Sequence, residues 1–248
     1  MKLAIMQPYF FPYLGYYSLI KHSDKFILFD VVQFIRHGWI ERNRILKPAE
    51  GWQYIAVPLE KKGMTTAISD VKIRNSEDWK SRLIRQLEHY KKRAPFYKDT
   101  LAVVESSLGL KTDSIVELNA NILTKTCAYL GMRLDLSIYS EMNLAIDEVT
   151  HPGEWALNIS KALKAGEYLN LPGGMEIFKP DQFRSANITL TFLGNNLGAY
   201  DQRRAQFEPG LSIVDVMMFN DAGRINKLID DVSFPSIGSG ASQPAAQQ

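Results

Sequence analysis

Apolar and polar positions fall into short blocks, and the first blocks change character quickly. Lys2–Met6 (KLAIM) is an unbroken apolar run that predicts a buried strand. Gln7–Pro12 follows with two prolines, which a helix interior excludes, so it predicts the exit loop. Tyr13–His22 places Tyr13, Tyr16, Tyr17 and Ile20 on one helical face. Lys25–Val31 (KFILFDV) is a second apolar run with Asp30 near its end. Strand, loop, helix, strand in immediate succession predicts a βαβ unit and therefore a parallel sheet.

Further along, Gln33–Lys47 is polar and basic and predicts a loop, while Trp52–Pro58 alternates as a strand does. Ile68–Ile73 predicts another strand. Trp79–Lys92 carries Trp79, Leu83, Leu87 and Tyr90 at helical spacing, with Ser76 ahead of it as a cap. Phe96–Ser107 and Ser114–Leu130 predict two more helices, the second closed by Gly131. Gly131–Tyr139 leads into a strand, Trp155–Ala165 is helical, and Tyr168–Asn170 is a short strand running into Leu171-Pro172-Gly173-Gly174. Met175–Phe183 is irregular or a short helix. Ile188–Leu193 predicts a late strand, with helices over Ser212–Asn220 and Gly223–Ile229.

The predicted class is α/β, with a parallel or mixed sheet, an N-terminal βαβ unit and a largely helical middle region. The expected organisation is one α/β domain over residues 1–232 with a helical insertion around 76–131. A flexible tail is expected over 233–248, where Ser, Gly, Ala and Gln replace large apolar residues.

Composition narrows the setting. A chain that is 46% hydrophobic and 23% charged is ordinary for a globular protein. The net charge of +2 gives no overall reason to expect nucleic acid or an acidic membrane. The single cysteine, Cys127, allows no internal disulfide, which fits a reducing compartment. The opening apolar run is too short for a signal peptide, and no stretch approaches a membrane span. The chain reads as cytoplasmic.

Common chemical motifs are absent: there is no Walker A sequence, no GxGxxG after a strand, no HExxH and no CxxC. His22, His37, His89 and His151 have no metal-ligand spacing, so no metal site and no cofactor is assigned. Cys127 falls on the inner face of its helix and reads as a buried, inert thiol rather than a nucleophile.

Three stretches stand out. In Gln7–Tyr17 (QPYFFPYLGYY), Gln7 lies at the carboxyl end of the first strand, where open parallel sheets gather ligands. Its amide both donates and accepts, and rings such as Tyr9 and Tyr13 can stack on a base or sugar. The plainer reading is an aromatic loop anchoring the first helix. In Asp30–Arg44 (DVVQFIRHGWIERNR), Asp30 follows the second strand, and Gln33, His37, Trp39, Arg42, Asn43 and Arg44 come close behind. Arginine forks suit phosphate, and an aspartate beside a histidine holds a general base. The plainer reading is a solvated basic loop. In His151–Phe183, Gly173 and Gly174 allow backbone N–H groups to approach an anion, and His151 stands before a helix as a base or as a cap neighbour.

These stretches, QPYFFPYLGYYSLI, D-x-x-QFI-x-x-GWI-x-RNRI, WQYIAVPL, YLNLPGG and PGLSIVDVMMFN, occur in an order that resembles the WbqC-like family from Met1 to about Ile229. One departure is visible. The family pattern has two aspartates before VQF, where this chain has Asp30-Val31-Val32-Gln33 and a single carboxylate. The resemblance implies a protein of bacterial surface-polysaccharide loci. Its ligands would be a nucleotide-linked sugar and an acyl or aminoacyl donor. The implied reaction is attachment of that group, glycyl for example, to an amine of the sugar. His37 or His151, with Asp30, would supply the base, and Arg42 and Arg44 would hold the phosphates. A nucleotidyltransferase-like enzyme is one alternative, since Tyr13-Leu14-Gly15-Tyr16 stands where such enzymes use His-x-Gly-His. A non-catalytic binding protein of the same pathway is another, and a Cys127 hydrolase a distant further one.

Overall fold

The structure, a computed structural model, describes residues 1–235. Its centre is a five-stranded, wholly parallel sheet built from β1 (Lys2–Met6), β2 (Lys25–Leu28), β5 (Leu136–Ile138), β6 (Glu167–Asn170) and β7 (Thr189–Phe192). The spatial order is β5-β2-β1-β6-β7. β1 pairs with β2 from Leu3↔Lys25 to Met6↔Leu28, and α1 (Leu14–His22) makes the crossover, so the expected βαβ unit is present. The chain builds outward from β1 through β2 to β5, then returns to the other side of β1 for β6 and β7. The order therefore reverses between β1 and β6, and a sheet of this kind opens a crevice beyond the carboxyl ends of those two strands.

Both faces of the sheet are covered, which is why its strands read as continuous apolar runs. Successive residues point to opposite faces. Ala4, Phe26, Leu28 and Leu169 join one large core, to which α1, the helical middle region and the C-terminal helices contribute. Leu3, Ile5, Ile27 and Tyr168 join a second core under α5 (Glu154–Ala162) and α6 (Pro180–Ser185).

The middle region is helical: α2 (Trp79–Leu87), a 3-10 turn over Glu88–Lys92, α3 (Tyr97–Leu108) and α4 (Ile115–Tyr129). Asp78, rather than Ser76, caps α2 by accepting from the Ser81 amide. Gly131 closes α4 with φ +66, a conformation that favours glycine. Ile68–Ile73 does not form the expected strand. Ile68–Asp70 is a 3-10 turn, and Ile68 and Val71, three residues apart, both point into the core.

A larger correction concerns the polar segment before it. Arg42–Leu46 is a strand, β3, paired antiparallel with β4 (Trp52–Ala56) from Arg42↔Ala56 to Leu46↔Trp52. The C-terminal helices are α7 (Ile213–Phe219) and α8 (Ala222–Asp230). A small antiparallel pair, β8 (Gly194–Asn195) with β9 (Val232–Ser233), follows the last sheet strand. Ser233, expected to begin the tail, is thus paired; the expected tail from 236 onward lies outside the described residues.

Candidate functional site

The aromatic loop is mostly structural. Phe10, Phe11, Tyr16 and Tyr17 are fully buried, and Phe10 meets Phe11 edge to face at 4.9 Å. Tyr13 is 8% exposed and its ring lies over Gly15, where an added Cβ would come within 2.6 Å of it. Burial pushes the Tyr9 and Tyr13 hydroxyls above their ordinary range. These rings fill the core rather than face a ligand, Tyr9 excepted: it is half-buried against Tyr16. Gln7 keeps its expected position at the carboxyl end of β1. Its carbonyl accepts from the Tyr16 hydroxyl at 2.8 Å, while its side-chain amide bonds to no described residue.

The loop is stitched to the hairpin β3–β4. Phe10 N donates to the Trp39 carbonyl at 2.8 Å. The buried Asn43 amide donates to the Phe10 and Phe11 carbonyls, and Asn119 joins the Pro8 and Ile40 carbonyls. Alternation along β3 turns Asn43 and Ile45 inward, and Arg42 and Arg44 onto the other face. There the guanidiniums lie on rings. The Arg42 Cζ is 4.0 Å from the Tyr54 centroid, and the Arg44 Cζ is 5.2 Å from that of Trp52 and 5.5 Å from that of Trp39. The arginine ion pairs among the described residues belong to Arg74, Arg82, Arg184 and Arg203, not to Arg42 or Arg44. Arg42 donates to the His37 carbonyl and Arg44 to that of Gly210, yet the Nε of each is buried without a described partner. Burial lowers the Arg44 pKa; Tyr54 and Glu208 act in the opposite direction. Two half-buried cations on an aromatic face, unpaired with carboxylate, form a surface that favours an anion carrying planar or apolar groups.

The expected acid–base residues are not brought together. Asp30 is buried, and its carboxylate accepts from the Ser140 amide at 3.0 Å and the Ser140 hydroxyl at 2.6 Å. It forms no hydrogen bond or ion pair with His37 or His151 and holds the Tyr139–Glu141 turn instead. His37 sits in an exposed turn at φ +62, its amide donating to Glu41. His151 Nδ1 accepts from the Gly153 amide at 3.2 Å, which puts the proton of the neutral ring on Nε2. Gln33 is exposed and donates to the Met64 carbonyl at 2.6 Å. Gly173 and Gly174 lie in a 3-10 turn, Pro172–Ile177, with room for a Cβ at both positions, so neither is held to glycine by crowding. Cys127 is buried, and burial pushes its thiol up to about 12, which removes it as a nucleophile at neutral pH.

Other residues that were not named as candidates enter the site, Trp155 from within the third stretch and the rest from outside all three. Trp52 and Tyr54 belong to the arginine face through the β3–β4 register. Phe29, Tyr139 and Trp155 meet at the carboxyl ends of β2 and β5, with Phe29 at 5.3 Å from Tyr139 and 5.1 Å from Trp155. The alternation of WQYIA was a usable signal for the first pair once Arg42–Leu46 is seen as a strand. No local signal links the second group, whose members come from three distant segments.

Fold and site together define an α/β protein with a doubly wound parallel sheet, a reversal crevice between β1 and β6, and an arginine–aromatic hairpin on the loop beyond β1. The chain matches the WbqC-like protein family over residues 7–227 and belongs to it. It is also 29% identical over 221 residues to "Uncharacterized protein Rv1507c" of Mycobacterium tuberculosis, covering 88% of this chain and 93% of that one. No solved structure matches. No described helix is long and apolar enough to cross a membrane.

Proposed function

We propose that the protein binds a nucleotide-linked amino sugar and transfers an acyl or aminoacyl group, glycyl for example, to its amine during bacterial surface-polysaccharide assembly. The observation that carries this reading is the pair Arg42 and Arg44: half-buried, seated on Trp39, Trp52 and Tyr54, and unpaired with carboxylate. Alternate residues of a strand stand about 7 Å apart, a spacing that suits the two ends of a diphosphate. In the reaction the sugar amine attacks the carbonyl of an activated donor. The C–N bond forms, the bond to the donor's leaving group breaks, and the amine proton passes to a base. His37 is the candidate base, because the Nδ1 of His151 is already engaged with the Gly153 amide. Asp30 positions the Tyr139 turn and takes no part in proton transfer.

The test is calorimetric titration with nucleoside diphosphates and their amino-sugar derivatives. Arg44→Ala should weaken binding about 10- to 100-fold, the worth of a charge-assisted bond. His37→Gln should keep binding and lose turnover with acyl-CoA or aminoacyl donors. Absence of binding by any nucleotide at millimolar concentration sinks the proposal.

A nucleotidyltransferase reading is favoured by one observation, the strand order with its reversal at β1. Against it, Tyr13 and Tyr16 occupy the two histidine places of His-x-Gly-His, and the Tyr16 hydroxyl is bonded to the Gln7 carbonyl. Release of pyrophosphate from a nucleoside triphosphate in the presence of a sugar phosphate would decide for it.

A further inference from the structure

We infer that Phe29, Tyr139 and Trp155 form the subsite for the hexose ring of the nucleotide-linked sugar. This deepens the function proposed above and rests on it. The three residues come from different elements and meet at one place. Leu28 and Ile138 are in register as the last residues of β2 and β5, so Phe29 and Tyr139 leave the sheet side by side. Trp155, in the first turn of α5, closes the group at 5.1 Å from Phe29 and 5.9 Å from Tyr139. All three are half-buried, unlike the fully buried rings of the first loop.

Two of these rings carry polar tips without a described partner, the Tyr139 hydroxyl and the Trp155 indole N–H, and the Gln7 amide on the neighbouring strand end also has none. Neither tip is among the buried polar atoms left without a partner, so both open to solvent, where a polar ligand can reach them. Gln7 is adjacent because Phe29 N donates to the Met6 carbonyl at 2.8 Å. Asp30, the next residue, fixes the Tyr139–Ser140 turn through both carboxylate oxygens, so the Tyr139 ring is held in place.

The interplanar angles favour a sugar ring over a flat base. Phe29–Tyr139, Phe29–Trp155 and Tyr139–Trp155 meet at 59°, 61° and 86°. Rings set at such angles offer no parallel pair of faces to clamp a flat base. They offer electron-rich faces at steep angles to one another, with donors and an acceptor at the rim. A pyranose fits that description, with C–H bonds for the faces and hydroxyls for the rim. The arginine hairpin is tied to the same loop. Phe29 is tied to Met6 and Trp39 to Phe10, and the four steps between those two tether points span at most about 14 Å.

The experiment compares affinities for nucleoside diphosphates (UDP, GDP, TDP) and for their hexose and amino-hexose derivatives in wild type, Trp155→Leu, Trp155→Phe and Tyr139→Phe. In wild type the hexose should add about tenfold in affinity over the diphosphate alone. Trp155→Leu should erase that increment and leave the diphosphate affinity as it was. Trp155→Phe and Tyr139→Phe, which keep a ring, should each lower it and decide the matter if Trp155→Leu does not fold. An increment that survives in all the folded variants overturns the subsite. So does a parallel loss of diphosphate affinity, which would place the base on these rings. Failure of every nucleotide to bind wild type overturns the proposed function itself, and the subsite with it.

Discussion

The Asn43 side chain donates to two consecutive backbone carbonyls, Phe10 and Phe11, at 3.0 Å each. It stands between Arg42 and Arg44 but points the other way, so one amide couples the cationic face of the hairpin to the loop at the end of β1. Phe11 has φ +40, an unfavourable conformation for a residue with a side chain, and its carbonyl also accepts from the Ser212 hydroxyl at 2.7 Å. Asn43→Ala leaves the Phe10 carbonyl without this partner in a buried setting. The expected cost is about 2–4 kcal/mol, read from the urea midpoint. Nucleotide binding should weaken as well, although Asn43 points away from the proposed ligand face. Stability within about 0.5 kcal/mol of wild type would show that the loop holds its shape without the tether.

Gly153 gives a sharper steric test. A Cβ at this position would lie 2.1 Å from the Ile177 carbonyl oxygen, a backbone atom at the end of the Pro172–Ile177 turn. Its φ of −68 is available to any residue, so the conflict is one of space and not of conformation. Gly153→Ala must move that turn away from the start of α5, at a cost of about 1–3 kcal/mol. Chemical shifts of Gly173 and Gly174 should change while those of the β3–β4 hairpin stay fixed. Unchanged stability would mean that the turn is not packed there.

Much of this fold was legible because its strands and helices have clear periods. KLAIM, KFIL and the Trp79–Leu83–Leu87 stripe declare their elements through apolar spacing alone. The Arg42–Leu46 strand was hidden for a physical reason. Its outer face carries arginines whose guanidiniums lie over rings, and its inner face opens with Asn43 where an apolar residue would have signalled a strand. Of the candidate site, Gln7 at the end of β1 was legible, whereas the shared face of Arg42 and Arg44 comes from the strand that was hidden. Asp30 has the carboxylate chemistry of a catalytic residue, but Ser140, a residue far along the chain, decides what it does. The Phe29–Tyr139–Trp155 group is a product of sheet order, and no window of sequence contains it.

Cys127 is 1% exposed on α4, and its thiol lies well above neutral pH because burial disfavours the thiolate. Iodoacetamide should therefore leave the native protein unmodified over hours at pH 7.5, and react quickly once the chain is unfolded in guanidinium. The rate of native labelling then reports opening of the helical middle region. Fast labelling of the folded protein would contradict the packing of α4 against the large core. Loss of activity on native labelling would return the thiol to the catalytic candidates.

Asp215 supplies a pH test. It is fully buried, and its carboxylate accepts from the Tyr90 hydroxyl at 2.5 Å and the Tyr200 hydroxyl at 2.6 Å. Tyr90 in turn accepts from the Leu46 amide at 2.9 Å, which connects the network to the hairpin. Burial raises the carboxyl to about 6, with the hydrogen bonds from Tyr200, Tyr90 and the Leu46 amide, and the charge of Arg204, pulling the other way. An unfolded aspartate titrates near 3.9. Between about pH 4 and 6 the native state thus binds more protons at this site than the unfolded state, and stability falls as pH rises through that window. The full cost of ionising the buried group, reached above about pH 6, is roughly 3 kcal/mol. Asp215→Asn has no proton to lose, so its stability curve should stay flatter across the window than that of wild type. Urea titrations of both proteins at intervals from pH 4 to 7 measure the difference directly, since the other titrating groups are common to both. Parallel curves would mean that Asp215 keeps the ordinary carboxyl range despite its burial, with the two tyrosine hydroxyls and the Leu46 amide offsetting the whole desolvation cost.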